Sequence, residues 1–86
     1  LLGRYETAIG WAERVIARMP TWHFGYFLLA ASLVALGEQD RARQAVARCK
    51  GVLPETTLAD LSRVPLRDAA RMEEFRAHLR EAGFED

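Results

Sequence analysis

Few side chains in this sequence could bind a metal or attack a substrate, and their spacing argues against both. His23, Cys49 and His78 are the natural ligand types, and none lies three or four residues from another, so no helical or hairpin ligand pair forms. The single cysteine can neither close an internal disulfide nor build a zinc site alone. Glu73 and Glu74 are adjacent carboxylates, but neighbours on a helix point about 100° apart and cannot flank one substrate bond. His78 follows Glu74 by four residues and reads as its partner along one helix face. The chain carries no glycine-rich phosphate loop, no Ser/His/Asp arrangement and no H-E-x-x-H. The expectation is no catalytic residue, no metal and no cofactor.

Charge removes a further class. Arg41, Arg43, Arg48 and Lys50 make one stretch locally basic, with Arg43 turned away from Arg41 and Arg48, and with Glu38 and Asp40 at the same end. Across the 86 residues, 12 Lys+Arg balance 12 Asp+Glu. A neutral chain lacks the field that steers a protein to phosphates, so no nucleic acid is expected as a partner. Half the residues are hydrophobic and 28% are charged, which excludes a disordered composition. The longest apolar stretch, Trp22 to Leu36, is interrupted by His23, Gly25 and Ser32 and falls short of the roughly 20 residues a membrane span needs. No membrane association is expected. One cysteine and no visible leader predict a reducing, cytoplasmic setting; Leu1 in place of an initiator Met suggests a piece of a longer chain.

Periodicity predicts five helices and no strand. The first, about Arg4 to Met19, carries Tyr5, Ala8, Ala12, Val15, Ile16 and Met19 as one stripe. The second, about Trp22 to Leu36, is apolar nearly all round, as a helix buried on several sides would be. The third, about Asp40 to Lys50, turns Ala42, Ala45, Val46 and Cys49 inward and ends at Gly51. Thr57 and Asp60 form a capping box for a short fourth helix packing Leu58, Leu61 and Val64, which Pro65 stops. Asp68 caps a fifth helix with the stripe Met72, Phe75, Leu79 and Ala82. Gly83 closes it in a left-handed turn, with Phe84 folding back on Leu79 or Phe75.

Aligned with itself at an offset of thirty-four, the chain pairs Leu2 with Leu36, Gly3 with Gly37, Ala8 with Ala42, Arg14 with Arg48 and Pro20 with Pro54; Val15 and Cys49 keep apolar character. Glycine suits the corner between two helices, alanine their close approach, and proline the exit from the second. Tyr26, Leu29, Ala30 and Leu33 add a large-large-small-large series. On these residues the sequence resembles the tetratricopeptide (TPR) repeat family, with Cys49 where alanine is usual. Residues 1–20 would be the second helix of a partial repeat, 21–54 a complete repeat, and 55–86 an atypical capping region that loses the register.

The resemblance implies an all-α fold, with antiparallel helix pairs stacked in a right-handed solenoid. It also implies a non-catalytic protein–protein interaction module. A narrower resemblance is carried by Gly37-Glu38-Gln39-Asp40-Arg41-Ala42, Pro54, Pro65-Leu66-Arg67-Asp68 and Leu79-Arg80-Glu81-Ala82-Gly83-Phe84. It is to the C-terminal TPR-like regions of bacterial adenylate/guanylate cyclase-type regulatory proteins, whose usual leucine at Phe84 and following proline are missing here. In the TPR register Phe24, Phe27, Ala31 and Val34 fall on the positions lining the concave groove. Two readings follow: the fifth helix covers them as core, or they form an apolar groove for a protein or peptide partner. Phe27, Leu28 and Ala31 stand where carboxylate-clamping TPR domains place Lys and Asn, so no such clamp is expected. A further reading is self-association as a homodimer, through Trp11 and a first-helix stripe that lacks an upstream partner helix.

Overall fold

The computed structural model describes residues 2–63 and 69–85, with side chains described for 4–60 and 72–85. Among these the protein is all-α: helices α1 (Leu2–Arg18), α2 (His23–Ala35) and α3 (Gln39–Val52), a 3-10 helix (Leu58–Arg63), and α4 (Ala69–Ala82). Helix α2 is the centre of the fold and packs against every other element. Its sequence explains that position, since Tyr26, Phe27, Leu29, Ala30, Ala31, Leu33 and Val34 leave no polar face to present to water.

Each junction rests on a local backbone device. At the end of α2, Gly37 takes φ +80°, letting the Gly37 N–H donate to Val34 O (2.9 Å) and the Glu38 N–H to Leu33 O (2.8 Å). Gly83 (φ +122°) repeats this Schellman closure after α4, with Gly83 N–H to Arg80 O and Phe84 N–H to Leu79 O, both 3.1 Å. Phe84 then turns inward. Its ring stands edge-on to Phe27 of α2 at 5.0 Å, so the C-terminal turn closes over the central helix.

The exits from α1 and α3 are copies of one another. The Met19 N–H donates to Val15 O (2.6 Å) and the Trp22 N–H to Met19 O (3.0 Å). Thirty-four residues on, the Leu53 N–H donates to Cys49 O (2.6 Å) and the Thr56 N–H to Leu53 O (3.1 Å). Pro20 and Pro54 sit at the same point of each turn. The first copy is pinned by the Tyr26 hydroxyl, which donates to Pro20 O (2.7 Å). The second is pinned by the Thr56 hydroxyl, which donates to Leu53 O (2.8 Å).

Several boundaries differ from those expected. Helix α1 begins at Leu2, so Gly3 lies inside it and is not a corner residue. Helix α3 runs through Gly51 to Val52, because nothing forces a positive φ there and the last turn keeps its bonds. The expected fourth helix is six residues of 3-10 helix, giving four α-helices among the described residues in place of five. Its start is as anticipated: the Thr57 N–H donates to Asp60 Oδ2 (3.0 Å) and the Ala59 N–H to Thr57 Oγ1 (3.3 Å). The Leu58 N–H is drawn to Glu85 O (2.7 Å), tying this turn to the C-terminal segment. The side chain of Leu61, and Val64, Pro65 and Asp68, lie outside the described residues.

Candidate functional site

An uncovered concavity lies between α1, α2 and α4. It measures about 550 Å³, and its walls are Arg4, Tyr5 and Ala8 from α1, and Glu74, Phe75 and His78 from α4. Its floor is the α2 face carrying Phe24, Leu28, Ala31 and Ser32. A shallower depression lined by Arg4, Thr7, Ala8, Trp11 and Leu28 continues it over α1. Residues of α2 three and four apart share one face, which is why Phe24, Leu28, Ala31 and Ser32 meet here.

Of the four residues the sequence placed on a groove, the structure brings Phe24 and Ala31 to this one. Phe27 (0% exposed) is covered by the Phe84 ring, with His23 stacked on it at 6.2 Å, and Val34 is buried. Phe27 and Val34 are therefore core; Ala31 is also buried but lines the concavity, and Phe24 is half-buried at it. The cover over Phe27 comes from the C-terminal turn after α4. Leu28, Tyr5, Phe75 and His78 complete the concavity and fall outside the four residues chosen. Tyr5 and Phe75 belong to the apolar stripes of α1 and α4.

Trp11, assigned to self-association, is 43% exposed and meets Phe24 edge-on at 5.8 Å. Phe24 in turn lies 5.3 Å from Trp22. An aromatic ladder thus runs from the surface of α1 to the head of α2. Of the first-helix stripe, Ala12 and Ile16 are buried, Tyr5, Ala8 and Val15 are half-buried, and Met19 is exposed.

Arg4, Glu74 and His78 bring polar groups to the walls of the concavity, and Ser32 brings one to its floor. No buried side-chain nitrogen or oxygen among the described residues lacks a partner. Cys49 is buried and lines neither depression, and burial pushes its thiol above the ordinary range. Burial likewise raises the Tyr26 hydroxyl, already committed to Pro20 O. Among the described residues no three His, Cys, Asp or Glu side chains gather as a metal site would require. No helix among them is long and apolar enough to cross a membrane.

No protein-family model, curated protein or solved structure matches this chain.

Proposed function

We propose that this chain is a non-catalytic protein-interaction module of TPR-like build, in which paired helices stack as a right-handed solenoid. In this reading the groove between α1, α2 and α4 receives an apolar segment of a partner. The observation that carries it is the groove itself: three helices converge on Phe24, Leu28, Ala31 and Phe75, and the concavity is left open. The repeat supports the architecture, since the turns after α1 and α3 make the same pair of backbone bonds thirty-four residues apart. The pattern residues Tyr26, Leu29, Ala30, Leu33, Ala42, Val46 and Cys49 are all buried. Surface capture, in place of bond chemistry, is the mode of action.

Selection of displayed peptides against the folded chain tests this. Binders should compete with one another and lose at least about tenfold in affinity on Leu28→Glu, the cost of a charge placed in an apolar contact. Circular dichroism should stay helical, and Phe75→Ala gives a milder second variant. Binders indifferent to both substitutions would sink the groove reading. Self-association is a second reading, favoured by Trp11 at 43% exposure. It predicts a dimer in analytical ultracentrifugation that Trp11→Ala dissolves.

A further inference from the structure

Helix α1 presents a face whose arginines make no ion pair among the described residues. Arg4, Trp11 and Arg18 are spaced by seven residues, two helical turns, and so share one side of the helix. Arg14, three residues beyond Trp11, flanks the same side. Among the described residues none of the three arginines forms an ion pair, whereas Arg41, Arg43 and Arg48 are paired with Glu38, Asp40 and Glu13. This stripe is continuous with the groove, because Arg4 lines both concavities and Trp11 walls the shallower one. The opposite wall carries Glu74.

We infer that the occupant is an amphipathic helix whose apolar stripe is bordered on one flank by carboxylates, which meet Arg4, Arg14 and Arg18 of α1. The inference rests on the groove reading above and adds the partner's chemistry and orientation. Leu28, Phe24 and Trp11 take the apolar stripe. The arginines take the acidic flank, and Glu74 repels any acid on the other, so the two walls fix which way the helix lies. The distance from Arg4 to Arg18 corresponds to about 21 Å of helix, so an occupant of about four turns spans the stripe. A second copy seated symmetrically by α1 would bring these arginines against their own copies, which disfavours it as the occupant. Nucleic acid is disfavoured by Glu74 across the groove and by the zero net charge.

Three synthetic helical peptides with one leucine stripe test the inference against the whole chain. The first has Glu on one flank and Lys on the other; in the second Gln replaces Glu; in the third Lys fills both flanks. The first should bind about tenfold tighter than the second, with the third weakest, and added salt should shrink the difference. Arg14→Glu with Arg18→Glu, both exposed and far from the core, should reverse the order. If all three peptides bind alike and Leu28→Glu weakens them equally, the groove stands and the charge assignment falls. If none binds, both fall. Tighter binding of an oligothymidylate, or an arginine-dependent dimer in ultracentrifugation, would overturn the acidic helix as occupant.

Discussion

Two glycines in neighbouring helices have opposite reasons to be glycine. A Cβ on Gly25 would stand 3.0 Å from Ile16 Cγ1 and 3.2 Å from Val15 Cγ1, inside normal contact. Gly25 thus marks a close approach of α2 to α1, and Ile16 is itself buried and has little room to retreat. Gly10 has nothing within 4 Å of the same position. Gly25→Ala should destabilise the chain by about 1 kcal/mol, overpacking outweighing the gain in helix propensity. Gly10→Ala should stabilise it by about 0.5 kcal/mol through the unfolded state and helix propensity. Urea denaturation of the two variants checks the pair, and equal effects would refute the close approach. In the sequence both glycines look alike, as interruptions of a helical pattern. Only the crossing of two helices separates them.

Several elements with local signals were legible in the sequence, although Gly3 and Gly51 did not end helices as expected. The inward face Ala42, Ala45, Val46 and Cys49 of α3 is buried as its spacing implies. The left-handed closures at Gly37 and Gly83 also follow from neighbouring residues. Phe84 is different. Its spacing offers Leu79 or Phe75 as neighbours, and the structure adds Phe27, fifty-seven residues earlier in the chain. That contact decides which aromatics of α2 are core and which line the groove, so the candidate site was only half readable from periodicity. Phe84→Ala should cost about 3 kcal/mol, the usual loss for a buried Phe side chain. Phe84→Leu should recover much of it. The same loss should uncover Phe27, raising binding of a hydrophobic dye under conditions where circular dichroism remains helical. A Phe84→Ala variant as stable as the parent would show that the C-terminal turn does not hold the central helix.

At the scale of the molecule, α2 joins elements that hardly meet each other. It packs on α1, α3, α4 and the 3-10 helix, whereas α1 packs closely on α2 alone; Arg48 with Glu13 is an exposed side-chain link from α1 to α3. Such a layout resembles a short stack, in which stability is a sum of neighbouring interfaces and an outer member can open without the rest. Native-state hydrogen exchange should then report two levels. Amides in the middle of α2, at Leu29, Ala30 and Leu33, should exchange only through global unfolding. Those of α1 should exchange at a lower free energy, through separation of α1 from α2 with α3 and α4 in place. Gly25→Ala, which acts at the α1–α2 contact, should lower protection in α1 more than in α3. This separation also bears on binding, because α1 supplies one wall of the groove together with Arg4, Arg14 and Arg18. A bound acidic helix bridging α1 and α2 should raise protection in α1 up to the level of α2, while α3, remote from the groove, stays unchanged. Uniform protection across the free chain would instead mark α1 as an inseparable part of one cooperative core.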